Sequence, residues 1–279
     1  MRVTGATITA ADLELRYGST VAIEPSSFSI PAGTVTAIIG PNGSGKSTLL
    51  NAIAGLLTPA SGSISIDPPQ SRASIAYVLQ STRVNQALPV TVREVVAMGR
   101  YAARGAYGRL TASDRTAVDA AMARMGIGDV ATKHLDELWG GPRQRVFVAQ
   151  GLAQEHAILL LDEPLTGIDL AAAQAIDEVI HSERSDGCTV VMTTHDLSEA
   201  QVASHVLLLA GRVVASGPPN EVLTRAHLVA AYGPSLLHVD DGGQIFLDDP
   251  AHTHLPGRHA HRERTIHTEA SPDSVHGVD

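Results

Sequence analysis

"TVTAIIGPNGSGKSTLLNAIAGLL", from Thr34 to Leu57, decides the fold. Its first six residues are apolar and rich in β-branched side chains, which predicts a buried strand. Its last twelve, "KSTLLNAIAGLL", predict a helix. Between them "GPNGSGKST" (Gly40, Asn42, Gly43, Ser44, Gly45, Lys46, Ser47 and Thr48 among its residues) matches G-x-x-x-x-G-K-[ST] in the strand–turn–helix setting that the pattern requires. A glycine turn lets backbone N–H groups converge on phosphate oxygens, and the helix start adds free N–H groups and a positive dipole end. Lys46 can reach terminal phosphates, and the Ser47 hydroxyl can ligate Mg²⁺.

Outward from this stretch, the chain alternates in the manner of an α/β protein. "AILLLD" (Ala157–Asp162) and "TVVMTT" (Thr189–Thr194) are apolar on successive residues, as strands covered on both faces should be. A helix is expected between them, over Leu170 to Ser185. The order predicts a mostly parallel sheet with crossovers. "ATITAADLELRY" and "AIEPSSFSI" instead alternate like antiparallel strands, and "HVLLLAGRVVASG" predicts a hairpin turning near Gly211. Residues from Pro89 to Leu138 carry helical runs and few strand signals, so a helical lobe, extending to about residue 150, is expected as an insertion.

Composition bounds the partners. The chain has 279 residues, 44% of them hydrophobic, and a formal charge of −9. That charge argues against general nucleic-acid binding. The single cysteine, Cys188, excludes a disulfide framework and reads as a buried small side chain. The first residues lack the pattern of a signal peptide, and no run reaches the length of a membrane span. A role at the membrane therefore has to come through a partner.

Candidate site residues gather at predicted strand ends. Asp162 and Glu163 close "AILLLDE", where α/β sheets bind ligands. Asp162 suits a magnesium position, and Glu163 a base or positioner for attacking water. His195 follows "TVVMTT", and Gln80 follows "IAYVL"; each can face a γ-phosphate. Tyr17, ending "ELRY", offers a ring that could stack on a base.

In this order the motifs resemble those of the ATP-binding subunit of ATP-binding cassette transporters, over about Ile8 to Tyr232. The resemblance implies a P-loop ATPase of the cassette type, with a mostly parallel core sheet, flanking antiparallel strands and an inserted helical lobe. It implies an ATP-binding domain over residues 1–235 and ATP with Mg²⁺ as cofactors. It assigns adenine stacking to Tyr17, metal and γ-phosphate contacts to Gln80, the metal acid to Asp162, the catalytic glutamate to Glu163 and the switch histidine to His195. Asp169, in "LTGID", takes the place of the aspartate that ends the loop after the glutamate. It further implies a head-to-tail pair of cassettes, identical or not, on a polytopic membrane permease. A separate substrate-binding protein and a peripheral place on the cytoplasmic face belong to the same expectation.

One loop departs from the family. The usual Leu-Ser-Gly-Gly-Gln is "LWGGP" here, Leu138 to Pro142. Trp139 cannot copy a serine hydroxyl contact to the opposite γ-phosphate. Gly140 and Gly141 still permit close backbone approach, and Pro142 suits a helix's first turn. Slowed hydrolysis is the expectation; the alternative has Trp139 packed harmlessly beside Leu138. A third has a different partner chain, whose intact loop would leave one strong and one weak site.

The segment "YVLQSTRVNQALPVTVREVVAMGRY" resembles that of manganese and zinc importers, while iron-chelate and cobalamin importers carry a related "TVRE…GR" stretch. A regulatory cassette ATPase with weak turnover is the other class left open. Residues 236–279 read as a histidine-rich disordered tail. Six of the 13 histidines lie beyond residue 250, among them His252, His254, His259, His261 and His267. Imidazoles at this density suit Zn²⁺ better than Mn²⁺.

Overall fold

Strand β3 (Val35–Ile39) is buried at every residue and lies in the middle of a six-stranded sheet. The computed structural model describes residues 4–79, 89–104 and 108–233, and the backbone alone of strands 237–239 and 245–247. They belong to one compact unit, Met1–Asp248. Gln80 and the tail histidines beyond residue 250 lie outside the described residues.

Around β3 the sheet holds β5 (Ile75–Val78), β6 (Ile158–Leu161), β7 (Thr189–Thr194), β8 (His205–Leu209) and β9 (Val213–Gly217). The spatial order is β5-β6-β7-β3-β8-β9, parallel except for β9. Side chains of successive strand residues point to opposite faces, and here the alternation divides two cores. Val35, Ala37, Ile39, Leu159, Leu161, Val190 and Met192 face one; Ile38, Ile158, Leu160 and Val191 face the other. Both faces are apolar, so the central strands carry no polar alternation.

The second core lies between this sheet and an antiparallel one made of β1 (Thr7–Tyr17), β2 (Thr20–Ile30) and β4 (Ser61–Asp67), in the order β2-β1-β4. Helix α1 (Lys46–Ile53) contributes Leu49, Leu50 and Ile53 to it. This helix stops short of the expected Leu57, because Gly55 turns to φ +70° just past its end.

The first core is covered by the expected helical lobe. It comprises α2 (Val92–Met98), α3 (Tyr101–Arg104), α4 (Ala112–Arg124) and α5 (Gly140–Ala153). Thr91 and Thr111 cap α2 and α4, each in a reciprocal capping box with the acid three residues on. Buried Asp114 joins the helices: Arg100 Nε donates to its Oδ1 at 2.8 Å and Arg104 Nε to its Oδ2 at 3.0 Å. Arg100 also donates to the Ala153 carbonyl at 2.9 Å, which ties in the end of α5.

Helix α6 spans Leu170–Ser185, the expected range. Shorter helices follow: α7 (Leu197–Val202), α8 (Pro219–Val222) and α9 (Arg225–Tyr232). The start of the segment 236–279, expected as a disordered tail, holds two short antiparallel strands, β10 (Leu237–Val239) and β11 (Ile245–Leu247). Among the described residues, no helix is long and apolar enough to cross a membrane.

Candidate active site

The C-terminal ends of β3, β6 and β7 are neighbours in the sheet, so the loops leaving them share one edge. Two glycines shape the loop after β3. A Cβ on Gly40 would collide with the Leu209 carbonyl oxygen. Gly45, at φ +101°, would place a Cβ 2.8 Å from Ile23 Cγ1 and 2.9 Å from the Ala22 carbonyl oxygen. Larger residues fit at neither position. Asn42 and Gly43 are exposed at the loop crest, Gly43 at φ +79°, while Ser44 is buried beneath it.

Lys46 folds back across this loop. Its Nζ donates to the Gly40 and Pro41 carbonyl oxygens at 2.7 and 3.2 Å. Burial pushes the Lys46 ammonium below its ordinary pKa, while the Glu163 and Asp162 carboxylates act in the opposite sense. The next residue, Ser47, donates its Oγ–H to Asp162 Oδ1 at 3.0 Å. Thr193 Oγ1 donates to the same oxygen at 2.8 Å, and Asp162 is buried. Thr193 Oγ1 in turn accepts the Glu163 N–H at 2.8 Å. Glu163 holds φ +48°, which non-glycine residues adopt rarely. One buried threonine thus ties down both acids. Thr193 belongs to no motif and has the look of an ordinary strand residue in the sequence; its place two residues before His195, at the end of β7, is the one local signal of its role.

The junction of Ser47 Oγ with a buried carboxylate is a hard oxygen-donor set, and it fits Mg²⁺. The glycine cradle and the inward lysine fit a polyphosphate.

The remaining candidates lie as follows. Tyr17 ends β1, half exposed, with its hydroxyl 3.4 Å from Asn51 Nδ2 on α1. His195 is exposed directly after β7, and Asp196 beside it caps α7 by accepting the Ser198 N–H at 2.7 Å. Asp169 caps α6, accepting the Ala172 N–H at 2.9 Å. Gly141 packs so closely on Asp169 and Ala172 that a Cβ would meet both. Trp139 is the N-cap residue of α5, with extended backbone and no side-chain cap bond. It is 73% exposed, whereas Leu138 beside it is buried. The alternative that Trp139 packs away beside Leu138 does not hold in this chain. No hydrogen bond among the described residues joins Trp139, Gly140 or Gly141 to the phosphate loop.

A lysine-closed glycine cradle beside an aspartate–serine pair, at the edge of a parallel sheet, defines a P-loop ATPase. The inserted helical lobe and the flanking antiparallel sheet narrow that class to the cassette type. The chain belongs to the ABC transporter family, whose profile it matches over residues 23–166. It is 38% identical over 234 residues to the chelated iron transport system membrane protein YfeB of Yersinia pestis, covering 82% of this chain and 79% of that one. It is 35% identical over 238 residues to the manganese transport system ATP-binding protein MntA of Synechocystis, covering 83% and 89%. Among solved structures, an inward-facing ABC transporter of metal-chelate type superimposes with a TM-score of 0.73 at 26% identity, over 87% of this chain and 96% of that chain.

Proposed function

We propose that this ATPase subunit drives import of a divalent transition-metal ion, zinc or manganese. The observation that carries the reading is the likeness to metal-transport subunits, which spans most of the chain and includes the helical lobe. In the family resemblance that lobe docks the membrane partner, so relatedness there bears on the permease and its cargo.

The residue roles are those that the family resemblance implies, and the contacts of Lys46, Ser47, Asp162 and Glu163 support them. Lys46 and the N–H groups of Gly43 to Thr48 hold the β- and γ-phosphates of ATP. Ser47 and Asp162, with Gln80, hold Mg²⁺, which when bound neutralises phosphate charge. Glu163, its backbone fixed by Thr193, accepts a proton from the attacking water. His195 faces the γ-phosphate, and Tyr17 stacks on adenine. Trp139 and Gly140 are exposed at the start of α5, Gly141 is buried against Asp169 and Ala172, and no hydrogen bond among the described residues joins them to their own chain's phosphate loop. They are therefore read as completing the site of a second cassette, with Asp169 beside them. The assembly is a head-to-tail pair of cassettes on a polytopic permease, supplied by a substrate-binding protein. The tail histidines, from His252 to His267, are read as a zinc-binding segment.

Cellular metal content after deletion of this chain tests the cargo, element by element. Manganese or zinc should fall while iron stays level. An iron deficit would support import of an iron chelate, the reading that the Yersinia relative favours. An unchanged content of all three would exclude metal import.

A further inference from the structure

At the sheet edge opposite the phosphate loop, three side chains that the nucleotide site does not use converge. His156 lies two residues before β6, Cys188 immediately before β7, and Glu183 in the last turn of α6. One nitrogen, oxygen or sulfur donor from each lies within 4.8 Å of the other two, and all three residues are buried.

Their neighbours aim them inward. His156 Nδ1 lies 2.7 Å from the Gln154 carbonyl oxygen. A carbonyl only accepts, so this nitrogen carries a proton and Nε2 faces the cluster, 3.1 Å from Glu183 Oε2. The other carboxylate oxygen, Oε1, accepts from Arg124 Nη1 at 2.6 Å. Cys188 Sγ is 3.3 Å from the Ala157 carbonyl oxygen. Metal-bound histidines usually donate their second N–H to a carbonyl or carboxylate, and metal-bound carboxylates are themselves hydrogen-bonded. Both supports are in place here.

We infer that His156 Nε2, Glu183 Oε2 and Cys188 Sγ form a binding site for a borderline-soft divalent cation of the Zn²⁺ and Co²⁺ class. Imidazole, carboxylate and thiolate together suit such an ion far better than Mg²⁺ or Ca²⁺. A dication held by a neutral imidazole, a carboxylate and a thiolate leaves the buried cluster with no net charge and so avoids the cost of burying one. The site is separate from ATP hydrolysis and does not depend on which ion is transported.

Cobalt titration of the full-length chain tests this. Cys188 is the sole cysteine, so thiolate spectroscopy reads this cluster and is blind to the histidines of the tail. A near-ultraviolet sulfur-to-cobalt charge-transfer band should grow, saturate at one Co²⁺ per chain, and vanish when Zn²⁺ is added. Cys188→Ser should abolish the band. Arg124→Ala, which frees the Glu183 carboxylate to turn away, should weaken cobalt binding about ten- to hundredfold. A folded wild-type chain that takes up Co²⁺ without the band overturns the site, as does a band that survives Cys188→Ser. The wild-type readout stands whether or not either variant folds.

Discussion

Glu163→Gln will lower ATP turnover by roughly 10²–10⁴-fold, the usual contribution of a positioned general base. Nucleotide affinity will change little. Glutamine keeps the shape and the backbone contact that Thr193 Oγ1 makes with the residue 163 N–H at 2.8 Å, but it cannot accept a proton from water. Lys46, Ser47 and Asp162 keep their hydrogen bonds, so the phosphate cradle is untouched. The unusual backbone at φ +48° is held in place by that same threonine contact, which gives the carboxyl a fixed direction. Single-turnover hydrolysis in the assembled transporter, measured beside equilibrium ATP binding, separates the two effects. A variant that hydrolyses within a few-fold of wild type would remove Glu163 from the chemistry. One that loses ATP binding as well would make it a structural residue.

Trp139→Ser carries the second large effect, in the opposite direction. Trp139 holds the N-cap position of α5 with the right backbone, φ −128° and ψ 150°, and the wrong side chain. A serine there supplies two things that the indole does not. Its oxygen caps the helix, worth about 1 kcal/mol, which for a chain of this size raises Tm by about 2–4 °C. In the proposed head-to-tail pair, its hydroxyl would also contact the neighbouring cassette's γ-phosphate. A hydrogen bond to a charged group contributes about 1.5–3 kcal/mol, so if it acts in the transition state, turnover rises about ten- to hundredfold. The two readouts are independent, since capping acts in the isolated subunit and the phosphate contact only in the assembled pair. Higher Tm with unchanged turnover in the complete transporter would mean that residue 139 does not touch nucleotide. Lower turnover would mean that the indole itself has been recruited to the interface.

Much of this architecture could be read from the chain, for identifiable reasons. Strands β3, β6 and β7 are apolar on both faces, and α6 follows the period of its buried positions, so their limits were legible almost to the residue. The phosphate loop was legible because its glycines answer to collisions that any side chain would cause, with Leu209 at Gly40 and with Ile23 and Ala22 at Gly45. What escaped reading was decided by tertiary neighbours. Thr193 looks like one more β-branched strand residue, and only the registry of β7 beside β6 sets it against Asp162. His156, Glu183 and Cys188 are spread over 33 positions of sequence numbering, and the crossover through α6 brings them together. The exposure of Trp139 was likewise undecidable locally, because an indole next to a buried leucine packs or projects according to how α5 leaves the preceding turn.

The central claim is that Lys46 and the Ser47–Asp162 pair grip magnesium-bound triphosphate. Equilibrium ATP binding to the purified chain, with Mg²⁺ and with a chelator, for wild type and Lys46→Ala, tests it most directly. The account predicts tight binding that needs Mg²⁺ and weakens at least about ten- to hundredfold without the lysine, the equivalent of one or more charged hydrogen bonds. Equal affinity in all four conditions would contradict it.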